Sequence, residues 1–229
     1  ITTERNIRMK KFFAFTLAEV LITLGVIGVV AAMTMPTLIQ NHRKHEVVTK
    51  LKKVYSTVNQ AIKLSEVEYG SVYDWAGTKH ELTNVNDSVE WFNKYIGKHL
   101  EIVKIQKDNE KNYFYVYLKD GSILGFNYYI SDCAYYINQK AVDNPRGGIN
   151  RFNFRWNPVL NETQKSKPNL YKYDGVATFE PYAHVWDGTR DFLINRNGAN
   201  FACKTGGAYC AKLIQFDGWQ IKDDYPLRF

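Results

Sequence analysis

The sequence predicts an α+β protein in which one long N-terminal helix leads into a mixed head, and three observations predict it. Residues 20–39 contain no charged side chain. From Val47 to Ser65 the apolar positions step by four and three, the spacing of a single helix face. Beyond Gly70, short runs rich in aromatic and β-branched residues flank Asp-Gly dipeptides, the chemistry of tight hairpin turns.

The uncharged run VLITLGVIGVVAAMTMPTLI has twenty residues. At 1.5 Å per residue it spans about 30 Å, the thickness of the hydrocarbon core of a bilayer. It is apolar around its whole circumference and too long for the core of a signal peptide, so it reads as a membrane segment. Glu19 lies just inside the apolar stretch that begins at Phe15, where an unpaired carboxylate costs a few kcal/mol and calls for a partner. Pro36 removes a backbone donor near the far end, and Gly25 and Gly28 loosen the helix further. Basic residues on both sides of the span leave its orientation undecided by charge.

Lys10-Lys11-Phe12-Phe13-Ala14 followed by Phe15-Thr16-Leu17-Ala18-Glu19-Val20-Leu21-Ile22 resembles the processing signal of type IV prepilins and type II secretion pseudopilins. The resemblance covers residues 9–69. It implies a basic leader, cleavage between Ala14 and Phe15 by prepilin peptidase, methylation of the new amine, and a glutamate, here Glu19, as the fifth residue of the processed chain. Pro36 also matches the family pattern, whereas Ala14 stands where the family usually has glycine. The architecture implied is a helix packed on an antiparallel β-sheet head. The location implied is the inner membrane, crossed once, with the leader in the cytoplasm and the head outside. The partners implied are other pilin or pseudopilin subunits, an assembly platform protein and its ATPase. A processed Phe15 would carry a positive amine near the membrane surface, and Glu19 of an adjoining subunit could neutralise it in a low-dielectric setting. Phe15, Glu19 and Pro36 are therefore the candidate assembly residues. Met9, directly before Lys10-Lys11, is the expected start, which makes residues 1–8 an upstream extension.

After Pro36 the stripe Val47, Leu51, Val54, Val58, Ala61 and Ser65, joined by Val48, Tyr55 and Ile62, predicts an amphipathic stalk helix that ends at Gly70. His42 and His45 sit three apart with no carboxylate or cysteine pair nearby, and read as solvated polar residues. The expected organisation is a leader over 1–14, a transmembrane assembly helix over 15–39, an amphipathic helix over 40–70 and a globular α+β head over 71–229.

Within the head, Asp87-Ser88-Val89-Glu90 predicts a capped helix with Val89, Phe92, Ile96 and Leu100 on its apolar face. One hairpin is expected from Tyr113–Leu118 and Ile123–Tyr128 around Asp120-Gly121. A second is expected from Lys212–Phe216 and Trp219–Ile221 around Asp217-Gly218. Residues 138–170, rich in Asn, Pro, Gly and Lys, read as a long loop or insertion.

Composition narrows the function. The chain has 229 residues, of which 45% are hydrophobic, so it folds rather than remaining disordered. Its net charge of +7 is concentrated in residues 1–70, with 10 basic against 5 acidic side chains, leaving 20 against 18 for the rest. The head thus lacks a basic surplus for nucleic acid, and its aromatics read as core and cross-strand pairs rather than a base-stacking stripe. Of three cysteines, Cys203 and Cys210 enclose a short turn-forming stretch and are the expected disulfide in an oxidising compartment, with Cys133 free. No nucleophile elbow, zinc-protease helix or phosphate-binding glycine loop occurs, so no catalytic residue is assigned and a non-enzymatic role is expected. The segment holding Asp187, Asp191, Asn195 and Asn197 is oxygen-rich and glycine-punctuated, as calcium loops often are. It lacks the D-x-[DN]-x-[DN]-G spacing, and turn formation is the better reading, so no cofactor is assigned; calcium at these four residues is the alternative that the pseudopilin resemblance implies. The rival expectations are a monomeric membrane-anchored binding domain, with ligand loops at 138–170 and 187–210, and a DNA-uptake pilin.

Overall fold

A computed structural model describes residues 16–76, 82–195 and 201–229. The leader 1–14, Phe15 and Asn197 lie outside these residues. The chain divides into two units, 1–42 and 43–229, and the first helix α1 (Leu17–Tyr69) contributes to both.

In the first unit, the large apolar side chains of α1 from Leu17 to Ile39 are exposed. Thr23 and Thr34 turn their hydroxyls inward and donate to the carbonyls of Val20 and Val30, at 2.9 Å each. That satisfies two of the three threonine hydroxyls in the uncharged run. The helix carries a window of mean hydropathy 2.2, none of it buried, and is long and apolar enough to cross a membrane.

The second unit is an α+β head whose core is organised by the remainder of α1. Its buried residues are Val47, Leu51, Val54, Val58, Ala61, Ile62 and Ser65, the stripe that the sequence period marks out. Gly70 ends the helix with φ +77°, a conformation that costs glycine little. Next comes α2 (Val85–Tyr95), three residues earlier than the sequence suggests. Asn84 is its cap, accepting from the amides of Asn86 and Asp87 at 2.9 and 3.1 Å, so Asp87 falls within the first turn instead of preceding it.

Six strands then form one antiparallel sheet in chain order: β1 (Ile102–Asp108), β2 (Tyr113–Leu118), β3 (Ile123–Asn127), β4 (Asp132–Tyr136), β5 (Arg151–Arg155) and β6 (Glu180–Pro181). The hairpin about Asp120-Gly121 pairs Tyr117 with Ile123 and Tyr113 with Asn127. One row of inward side chains is Phe114, Phe126, Cys133 and Phe154, and the next is Val116, Leu124, Tyr135 and Phe152. All eight are buried in the core that includes the α1 stripe.

Two expectations are corrected. Residues 138–170 are not a plain loop: they contain α3 (Gln139–Asp143), the sheet strand β5 and α4 (Glu162–Lys165). The alternation of Phe152 and Phe154 with polar neighbours is the strand signal that the surrounding Asn and Gly masked. Nor do residues 212–221 form a hairpin. After the short helix α5 (Arg190–Asn195), Cys210–Phe216 is helix α6, which buries Cys210, Ala211, Leu213 and Ile214 at helical spacing. Asp217-Gly218 caps that helix: Gly218 has φ +76°, and the Trp219 amide returns to the Ile214 carbonyl at 2.7 Å. A positive-φ glycine serves a hairpin turn or a helix end equally well, and burial of the preceding residues decides between them.

Candidate functional site: an apolar helix with one carboxylate

The candidate site begins at the N-terminus of α1. Thr16 and Glu19 form a reciprocal cap: the Thr16 amide and hydroxyl both donate to Glu19 Oε2 at 2.8 Å, and the Glu19 amide donates to Thr16 Oγ1 at 3.2 Å. The T-x-x-E spacing is the sequence signature of this box, and it was missed in reading Glu19 only as an assembly residue. The carboxylate therefore has local hydrogen-bond donors, but no cationic partner among the described residues. Two hydrogen bonds from one threonine, both to Oε2, leave the charge of the carboxylate uncompensated.

Further along, Gly25 and Gly28 have nothing within 4 Å of where a Cβ would stand, so the backbone there is open to close approach by another helix. Pro36 lies inside the helix, and its missing amide leaves the backbone one donor short near the end of the apolar run.

Side chains on the flanks of the buried stripe fasten the second part of α1 to the sheet. Asn59 donates to the Phe179 carbonyl at 3.0 Å and accepts from the Phe179 amide at 2.8 Å, extending the pairing around β6. Tyr55 donates to Glu180 Oε1 at 3.1 Å, and burial together with the Glu180 charge pushes its phenol up to about 12. Lys53 pairs with Asp120 at 2.7 Å, and Lys50 Nζ donates to the Ile137 carbonyl at 2.9 Å.

At the C-terminal side, Cys203 and Cys210 are joined by a disulfide with Cα atoms 4.7 Å apart, and Cys133 is a buried free thiol. Gly207 and Gly148 let this loop close on its neighbour: a Cβ on Gly207 would stand 2.6 Å from the Gly147 carbonyl carbon, and one on Gly148 would overlap Cys210 Sγ. Asp217 is almost fully buried and accepts from Arg190 Nε at 2.7 Å and Nη2 at 2.8 Å, with Lys222 at 2.8 Å. Burial alone would raise this carboxyl, but those charged donors hold it below its ordinary value.

The oxygen-rich segment uses its side chains locally. Asp187 Oδ1 accepts from the Thr189 amide and hydroxyl at 2.7 and 2.8 Å, and Asp191 Oδ1 accepts from Asn195 Nδ2 at 2.9 Å. Among the described residues no group of three His, Cys, Asp or Glu side chains is placed to hold a metal ion. His42 and His45 are exposed on α1. Trp75, Trp91, Trp156 and Trp186 are buried, with Trp75 stacked on Tyr95 at a centroid distance of 4.7 Å.

A long helix docked on a six-stranded antiparallel meander defines the class of this head. The chain belongs to DUF6613, a family of unknown function whose model matches residues 37–229. That match takes in the second part of α1 and the whole head, and begins just beyond Pro36. No curated protein and no solved structure matches the chain.

Proposed function

We propose that this protein is a structural subunit of a filament of the type IV pilus or type II secretion pseudopilus kind, held in the inner membrane until it assembles through its N-terminal helix. One observation carries the reading. The N-terminal part of α1 leaves its apolar side chains exposed yet contains a single carboxylate, Glu19, at its start. A lipid bilayer satisfies the apolar surface, but only a cation satisfies the charge, and the processed amine of Phe15 on a neighbouring subunit is that cation. In this reading prepilin peptidase cuts between Ala14 and Phe15, the amine is methylated, and a platform protein and ATPase drive assembly. The head does no chemistry and is displayed outside the cytoplasm.

A second reading, a monomeric anchored domain, gains support from the Thr16–Glu19 box, which gives Glu19 a use within one chain. Two substitutions separate the readings. Glu19→Gln keeps an acceptor for the Thr16 amide and removes the charge; Glu19→Ala removes both. With equal membrane levels and equal processing, confirmed by intact mass beginning at Phe15, the filament reading expects both variants to be recovered in sheared filaments at about one tenth of wild type or less, since an unpartnered buried amine costs several kcal/mol. The anchored monomer requires no difference between Gln and wild type. Full recovery of Glu19→Gln in filaments overturns the proposal.

A further inference from the structure

The outer face of the sheet differs from the inner one. Residues paired across it include Tyr113 with Asn127 and Tyr115 with Gly125, and on the next strands Gly125 with Ala134 and Ala134 with Asn153. The absence of a side chain at Gly125 lets the Tyr113 ring lie on the sheet: a Cβ there would come within 2.7 Å of Tyr113 Cε1 and 2.6 Å of its hydroxyl. Beside this ring is an open cavity of about 270 Å³, with Tyr182 and Phe201 supplying further aromatic walls, their centroids 5.9 Å apart. Its size suits one ring-sized ligand rather than an extended chain.

Asn127 and Arg151 both line this cavity, and their Oδ1 and Nε atoms, which solvent does not reach, have no hydrogen-bond partner among the described residues. Arg151 also has no carboxylate within ion-pair distance among those residues, whereas Arg155 is held by Asp132 and Asp174, and Arg190 by Asp217 and Asp224. Asp132 lines the same cavity but is already engaged by Arg155 at 2.7 Å. An arginine without a carboxylate partner among the described residues, a side-chain amide and aromatic walls around one cavity favour a complementary molecule. It must bring an anionic acceptor to Arg151, a hydroxyl donor to Asn127 and an apolar face to the rings. Inorganic phosphate provides no apolar face, and a neutral sugar provides no charge.

We propose that this cavity binds a single sugar ring bearing a carboxylate, with Arg151 taking the carboxylate, Asn127 a ring hydroxyl, and Tyr113, Tyr182 and Phe201 the C–H face. The site does not depend on how the N-terminal helix is used.

The test uses the full chain in detergent micelles, with D-galacturonate and D-glucuronate as probes and D-galactose and inorganic phosphate as comparisons. Saturation-transfer NMR and calorimetry should give saturable binding of at least one uronate, with galactose and phosphate about tenfold weaker or more. Arg151→Gln should weaken uronate binding about tenfold or more, and Arg151→Lys should restore part of it. Asn127→Ala provides a second, smaller loss at an independent position. Each variant is compared at an unchanged circular dichroism spectrum and an intact Cys203–Cys210 bridge. If Arg151→Gln fails that control, Arg151→Lys and Asn127→Ala carry the test. The proposal is overturned if neither uronate binds, if galactose or phosphate binds as tightly, or if the folded variants bind like wild type.

Discussion

The two parts of α1 share one secondary structure and opposite surroundings. Before residue 43 the helix exposes Leu24, Val29 and Val30 alike, although they lie on different faces; after it, Leu51, Val54 and Val58 are buried along one stripe and their neighbours are polar. Helical hydrogen bonding is therefore common ground, and the difference lies in what each part uses as solvent. The second part is solvated by its own head through a stripe set by the 3.6-residue period. The first has no stripe to offer a single partner and requires an environment that is apolar on every side. Where the family match begins, just past Pro36, is also where this change of pattern begins.

The strongest way to break the comparison is to truncate one side chain in each part. Leu51→Ala, at a fully buried position, should destabilise the head by about 3 kcal/mol, whereas Ile27→Ala should change head stability by less than about 0.5 kcal/mol. Denaturant unfolding of the full chain in detergent, followed by the fluorescence of the buried head tryptophans, reads both. Equal losses would mean that the first part packs on protein.

Removing the disulfide sharpens the same contrast from the other end of the chain. Closing the short loop between Cys203 and Cys210 restricts the unfolded chain by about 2.5 kcal/mol on the loop-entropy model. Cys203→Ser with Cys210→Ser should lower head stability by about that amount and leave membrane insertion unchanged, as measured by thermal melts and by carbonate extraction of membranes.

The smallest effect is a pH dependence that belongs to the head alone. Asp217 is held below its ordinary carboxyl value, so its contribution is present above the unfolded-state pKa of about 3.9 and is lost as pH falls through the lower folded value. Asp217→Asn should cost about 1–2 kcal/mol at pH 7, and the gap from wild type should close as pH drops below about 4. A gap that persists unchanged at pH 2.5 would assign the loss to packing rather than to charge.

Much of the fold was legible because it rests on local pattern. The stripe from Val47 to Ser65, the Gly70 stop and the Asp120-Gly121 hairpin each need only nearest-neighbour chemistry, and each stands where the pattern puts it. The candidate site was half legible. Glu19 stood out as a charge in an apolar run, but its bonds with Thr16 were overlooked although the T-x-x-E spacing was there to read. The short segment between Cys203 and Cys210 suggested their pairing, and the two are bonded.

By itself the sequence determined where the helix is amphipathic and where it is apolar throughout, since periodicity is a property of consecutive residues. The tertiary structure alone decided three other things. It made Asp217-Gly218 a helix end, because Leu213 and Ile214 are buried by neighbours distant in sequence. It recruited residues 151–155 to the sheet, because β4 presents a free edge to them. And it brought Tyr113, Asn127, Arg151 and Tyr182 around one cavity, a grouping no spacing along the chain encodes, because cross-strand register sets which residues share a face.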